Sequence, residues 1–252
     1  MEESYVVSEI KNEIATVTFY HPAHNSLPGN LLDKLANKIK IAGENNTVKV
    51  IVLKSDGDRT FCAGASFQEL IHIENKTEGE QFFSGFANVI NAMRKCPKFI
   101  IARVQGKIVG GGVGLAAAAD YCLASKYAAI KLSELNLGIG PFVIGPAVER
   151  KIGVSCMSQV AINASEFYTA EWAKQKGLFA DVFETTDYLD QAVSELADKL
   201  CSYSPEAVKH TKQMFWQGTE NWDDLLQQRA KISGELVLSK FTKQKLERFK
   251  DK

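Results

Sequence analysis

What the chain does not contain narrows its class first. It carries no excess charge, since thirty Lys and Arg stand against thirty Asp and Glu in 252 residues. The broad positive field of a nucleic-acid or anionic-membrane binder is therefore missing. Its five cysteines (Cys62, Cys96, Cys122, Cys156 and Cys201) are odd in number, widely spaced and never arranged as C-x-x-C. That pattern points to neither a disulfide framework nor a zinc site, but to buried thiols in a reducing compartment. The four histidines, His21, His24, His72 and His210, are scattered, and no H-E-x-x-H or EF-hand pattern occurs, so no metal is expected. The G-x-S-x-G of a serine hydrolase is also missing. No apolar run approaches the length of a membrane span. The start, Met1-Glu2-Glu3-Ser4, is acidic where a signal peptide or mitochondrial presequence would be basic. A cytoplasmic protein without membrane contact is the expectation.

What is present begins with glycine. Gly106-Lys107-Ile108-Val109-Gly110-Gly111-Gly112-Val113-Gly114-Leu115, followed by four alanines and Asp120, lets the backbone turn tightly into a closely packed helix with its first N–H groups unobstructed. Those donors and the positive end of the helix dipole suit an anion or a developing oxyanion. The buried strand Phe99 to Val104 runs straight into this segment. A second loop of small residues, Phe61-Cys62-Ala63-Gly64-Ala65-Ser66, follows a strand over 48–53 and leaves room for a ligand against its backbone.

Around these loops the periodicity predicts a hairpin from Tyr5–Ile10 and Ile14–Phe19, a helix over 29–42 and another over 81–95. Short strands are expected at 121–124 and 129–132. After Gly145 helices are predicted at 145–152, 155–162, 169–176, 187–202, 204–217, 222–238 and 239–250, with only 180–183 extended. The class is α/β, with residues 1–195 forming the core and 196–252 a helical C-terminal region. A helical tail with no obvious core of its own is expected to pack on a neighbour, which implies a homo-oligomer.

The two small-residue loops, their spacing, and the later Ser133-Glu134-Leu135-Asn136-Leu137-Gly138 together resemble the enoyl-CoA hydratase/isomerase (crotonase) superfamily. The resemblance runs from Asn25-Ser26-Leu27 to the charged C-terminal helix. It implies a spiral of ββα units, a C-terminal region that builds trimers or hexamers, and an acyl-CoA thioester as substrate, with coenzyme A part of the substrate and no separate cofactor. Carried over by position, the backbone N–H groups of Ala65 and Gly111 form an oxyanion hole, and Glu134 is the catalytic acid/base in an apolar surround that includes Phe142. Such donors answer the charge that develops on a thioester oxygen when its α-carbon gains or loses a proton. Substrate contacts are implied at Ala23, Ala63, Ser66 and Phe67, at Gly110 and Gly114 of the glycine segment, and at Phe241. The adenine is implied to lie near Phe241 and Lys243 or Lys245 of a neighbouring subunit.

One departure bears on the reaction. Short-chain hydratases of the superfamily carry a second glutamate three residues after the oxyanion glycine, where this chain has Gly114. A single carboxyl suits a Δ3,Δ2-enoyl-CoA isomerase, which only moves a proton between carbons. Yet Gly110 to Leu115, the alanines, Asp120 and Leu132-Ser133-Glu134 look more like bacterial methylglutaconyl-CoA hydratases of leucine degradation, which also have glycine there, and the hydratase is the favoured reading. The third reading is a non-catalytic relative that binds acyl-CoA or RNA. Lys34, Lys38 and Lys40 lie on a helix comparable to an RNA-binding one, but three lysines in a neutral chain read as a solvated face. Asp120 is expected to be a structural hydrogen-bond partner, and Glu69 a solvated helix residue.

Overall fold

The structure, a computed structural model, describes residues 3–250, with side chains through Arg248. It opens with a hairpin of β1 (Tyr5–Lys11) and β2 (Ile14–Tyr20), in which Tyr5 pairs with Tyr20 and Lys11 with Ile14. Asn12 and Glu13 turn at φ 50° and 66°, the left-handed pair that matches the twist of the flanking strands. Helix α1 (Gly29–Glu44) follows, with Leu31, Leu32, Leu35 and Ile39 buried along one face.

Three successive strand pairs then build two sheets at once. These are β3 (Val50–Ser55) with β4 (Thr60–Cys62), β5 (Phe99–Val104) with β6 (Lys107–Val109), and β7 (Tyr121–Ser125) with β8 (Ala129–Lys131). The first member of each pair joins a six-stranded sheet and the second a four-stranded one. With β9 (Tyr168–Thr169) and β10 (Asp181–Phe183), the orders are β1-β2-β3-β5-β7-β10 and β4-β6-β8-β9. Each pair is followed by helix: α2 (Phe67–Ile71) and α3 (Lys76–Lys95), then α4 (Gly111–Ala118), then a 3₁₀ turn (Glu134–Leu137) and α5 (Gly145–Ile162). This repeating ββα winding is the α/β spiral that the resemblance implies.

Alternation along the strands divides the interior. Ile51, Leu53, Ile100, Ala102, Cys122 and Ala124 face the main core. Val50, Val52, Ile101 and Leu123 face the other way, onto Leu189, Val193 and Ala197 of helix α7 (Thr186–Cys201). Helix α6 (Ala170–Gln175) lies between β9 and β10. Helix α4 is buried from Gly112 to Ala118, so its all-apolar composition follows from its position in the middle of the molecule.

Several short elements escape the periodicity. Strands β4 and β6 have three residues each, too few for a period to show. Helix α3 begins five residues before the predicted start, because Asn75 accepts from the Glu78 N–H at 3.0 Å while the Glu78 carboxylate accepts from the Glu74 N–H at 2.8 Å, a capping arrangement that fixes the helix start upstream. The break expected between 152 and 155 is Gly153, at φ 76° within α5.

The C-terminal helices α8 (Pro205–Phe215), α9 (Trp222–Leu236) and α10 (Lys240–Lys250) lie on the body of their own chain. Lys212 of α8 is buried in an ion pair with Asp120 at 2.7 Å, and Asp120 also accepts from the Ile100 N–H and the Trp216 indole. Asp120 thus has the structural role expected of it. Leu246 of α10 packs with Leu70, Ile73, Ile139 and Val237. All five cysteines are free thiols. Among the described residues, no helix is long and apolar enough to cross a membrane, and no cluster of His, Cys, Asp and Glu could hold a metal ion.

Candidate active site

Two backbone amides come together where the two sheets meet helix. At the end of β6 the Gly110 N–H donates to the Lys131 carbonyl at 2.9 Å, and its own carbonyl accepts from the Val113 N–H at 2.9 Å. Gly110 lies at φ 53°, ψ −118°, a conformation essentially restricted to glycine. This turn launches α4, so the Gly111 N–H at the first helical position has no acceptor within the helix. The other arm follows β4. Leu27 donates to the Gly64 carbonyl at 2.8 Å and accepts from the Ser66 N–H at 3.2 Å, a bridge that grips both neighbours of Ala65 and leaves the Ala65 N–H outside the ladder. The arms touch. Gly64, at φ 91°, sits so close that a Cβ there would lie 3.6 Å from the Gly111 nitrogen.

Glu134 completes the group. The chain leaves β8, turns through Glu134–Leu137 and is held by bonds from the Gly138 N–H to the Leu135 carbonyl and from the Ile139 N–H to the Glu134 carbonyl, both 3.0 Å. A Cβ on Gly110 would meet the carboxyl Oε1 at 3.0 Å, which places the acid directly beside the residue preceding the Gly111 amide. The residue as a whole is half-buried, but its carboxyl end is enclosed: Oε2 is buried with no hydrogen-bond partner among the described residues. Burial pushes the carboxyl up to about 7 from an ordinary 4.5, against a smaller downward pull from its own backbone N–H.

The two arms and Glu134 border one cavity of about 210 Å³. Of the sequence-predicted residues, the structure brings Ala63, Ala65, Phe67, Gly110, Gly111, Glu134 and Phe142 to its wall. Four others lie elsewhere. The Ser66 hydroxyl caps α2 by accepting from the Glu69 N–H at 3.3 Å. Ala23 is exposed in the turn that follows β2. Gly114 is buried inside α4, where a Cβ would press within 2.5 Å of Ile144 Cγ2, so Ile144 takes the space a side chain at 114 would need. Phe241 packs on Gly138, because α10 folds back over this end of the molecule, and the residue is still more than half exposed. Glu69 is exposed and its carboxylate accepts from the Gly29 N–H at 2.8 Å, outside the cavity.

The sequence puts the acyl pocket in the stretches 67–90 and 136–145 without singling out residues there beyond Phe67 and Phe142, and most of the rest of the wall comes from those stretches. Phe82, Phe83 and Phe86 of α3, Leu70, Val143 and Ile144 supply apolar surface. On α3 their spacing matches any core-facing helical stripe, so periodicity alone does not separate them from core residues. Besides Glu134, the side chains that bring oxygen to the wall are Ser133 and Ser233, and no Lys, Arg or His among the described residues lines it. Such a site can polarise a carbonyl oxygen between two N–H groups and pass a proton to or from a carbon beside it.

The chain itself has known counterparts. The profile of the enoyl-CoA hydratase/isomerase family matches residues 9–252. A short-chain-enoyl-CoA hydratase of Clostridium acetobutylicum is 30% identical over 222 residues, covering 87% of this chain and 84% of that protein. The mitochondrial methylglutaconyl-CoA hydratase of Mus musculus is 31% identical over 200 residues, 78% of this chain and 63% of that protein. The crystal structure of an enoyl-CoA hydratase from Bacillus halodurans superposes with a TM-score of 0.90 over 97% of this chain and all of that one, at 22% identity, which shows a shared fold. The fold is that of crotonase-type proteins. The chain belongs to the enoyl-CoA hydratase/isomerase family of enzymes.

Proposed function

We propose that this chain is an acyl-CoA lyase that adds water across the conjugated double bond of an enoyl-CoA thioester. The observation that carries the reading is the unpartnered Glu134 carboxyl, poised near neutrality, on the same cavity as the Ala65 and Gly111 amides. In the reaction the thioester oxygen accepts from both amides. Glu134, ionised, takes a proton from water as the water oxygen bonds to the β-carbon, and the electron pair of the double bond moves onto the thioester oxygen. The enolate then collapses as Glu134 returns that proton to the α-carbon. One carboxyl serves both steps and ends as it began, a cycle suited to a group whose two protonation states are close in free energy at working pH. The amides stabilise the enolate without reorganising, and each such donor is worth roughly 3 kcal/mol. Coenzyme A enters as part of the substrate, and no other cofactor is invoked.

The favoured acyl group is 3-methylglutaconyl, supported by the resemblance and by the mouse relative. Its second carboxylate would meet Ser133 or Ser233 in this wall. A second reading, a Δ3,Δ2-enoyl-CoA isomerase, is favoured by Ile144 over Gly114, which leaves one carboxyl and little polar surface to hold a water. There Glu134 would take the α-proton and return it to the γ-carbon through a dienolate whose oxygen accepts from the same two amides. A homo-oligomer, trimer or hexamer, is proposed as well, supported by exposed Leu135, Val154, Ile162 and Phe167.

Purified protein offered 3-methylglutaconyl-CoA, crotonyl-CoA and a 3-enoyl-CoA distinguishes these outcomes. Loss of the conjugated enoyl-thioester absorbance with either of the first two supports the lyase. A gain with the third alone supports the isomerase. No change with any of the three contradicts both.

A further inference from the structure

The arm that carries Ala65 is held by little of its own. Strand β4 has three residues, and beyond it Ala65 joins only an isolated bridge with Leu27. Besides the Leu27 bonds and the Gly29–Glu69 bond, one buried side chain ties the Leu27 segment to the start of that arm. Asn25 is 3% exposed and sits at φ 55°, next to His24 at φ 53°, so two consecutive non-glycine residues occupy the left-handed region, where such residues are uncommon. Its Nδ2 donates to the Asp56 carbonyl at 2.7 Å and to the Thr60 carbonyl at 2.8 Å, and its Oδ1 accepts from the His21 N–H at 2.8 Å. Thr60 opens β4, while Leu27, two residues beyond Asn25, bonds the residues on either side of Ala65. The amide of Asn25 therefore joins the two segments whose relative position sets the direction of the Ala65 N–H. Gln105 also reaches the Thr60 carbonyl, at 3.4 Å, but its closer bonds go to the Ser55 hydroxyl and the Gly57 carbonyl. It holds the loop before β4 and makes no link to the Leu27 segment.

We propose that Asn25 is a positioning residue for the reaction, aiming the Ala65 amide at the substrate oxygen through the Leu27 bridge. This rests on the reading of Ala65 and Gly111 as an oxyanion hole. A misdirected donor loses stabilisation of the enolate while leaving the rest of the substrate contacts in place, so the effect falls on kcat more than on KM.

The test uses Asn25→Gly, because glycine accepts φ 55° without strain and only the amide is lost. Cinnamoyl-CoA, an aryl-conjugated enoyl thioester, reports polarisation of its carbonyl as a red shift in absorbance on binding. Wild-type protein is expected to shift it. Asn25→Gly is expected to lose most of that shift and to lower kcat by about tenfold or more, with KM changed by less than about threefold. Val193→Ala, in the cluster between the sheet and α7, is the comparison: it lowers stability but keeps the shift and kcat. Should Asn25→Gly fail to fold, Asn25→Ser retains one donor and is expected to lie between the two. A full shift and wild-type kcat in a folded Asn25 variant overturn the proposal alone. No shift in the wild type defeats the oxyanion reading and the proposal with it.

Discussion

An acid enclosed without a partner changes the pH dependence of stability as well as reactivity. The Glu134 carboxyl has a folded value of about 7 against 4.5 in an unfolded chain. Below about pH 4.5 it is neutral in both states and carries no ionisation penalty. Between the two values the folded protein holds the proton more tightly, so raising the pH through this window draws the equilibrium toward unfolding, and the loss levels off above about 7. The full effect is of the order of 3 kcal/mol. Glu134→Gln has nothing to ionise. Urea denaturation at about pH 5 and about pH 8 is therefore expected to show the wild type losing ground to the variant as pH rises. Equal pH dependence of the two would contradict the enclosed-acid account. The apolar neighbours of Glu134 in the sequence, Phe142 among them, point to such a raised value, but a lone glutamate after a short strand does not by itself mark a site. Only its place relative to the two small-residue loops singled it out.

The packing of α4 against α5 decides how many carboxyls the site can hold. Gly114 faces Ile144 at the start of α5, and a methyl group at 114 would press within 2.5 Å of Ile144 Cγ2. Overfilling of this kind typically costs about 1–3 kcal/mol. We expect Gly114→Ala to destabilise by that amount and Ile144→Ala to relieve part of it. The double variant should then fall short of the summed single effects by about 0.5–3 kcal/mol in a denaturation cycle. Strict additivity would mean that the two residues do not compete for one space. At this scale the long elements were legible, since α1 and α7 carry clear apolar periods and β3 is a continuous apolar run. The elements that shape the site were less so. Strands β4 and β6 are too short, and Phe82, Phe83 and Phe86 follow the same stripe whether they face a core or a cavity.

Across the whole molecule, the loops bearing Ala65, Gly111 and Glu134 follow three successive strands of the smaller sheet, β4, β6 and β8, which are paired in that order. The ββα winding thus brings together residues nearly seventy positions apart by stacking equivalent turns of one spiral. That winding entered the sequence reading only through the resemblance, since β4 and β6 are too short to show a period. The return of α10 onto Gly138 was not legible, because an amphipathic helix does not state which apolar surface it covers. The central claim is that two amides and one carboxyl form a device for moving a proton at the α-carbon of a thioester. A saturated substrate, butyryl-CoA, isolates that step, since it has no double bond to hydrate or shift. In D2O, wild-type protein is expected to place deuterium at the α-carbon, read by mass spectrometry, and Glu134→Gln to bind the thioester but slow the exchange by about 10²–10⁴-fold. Equal exchange in the two proteins, or none in the wild type, would contradict it.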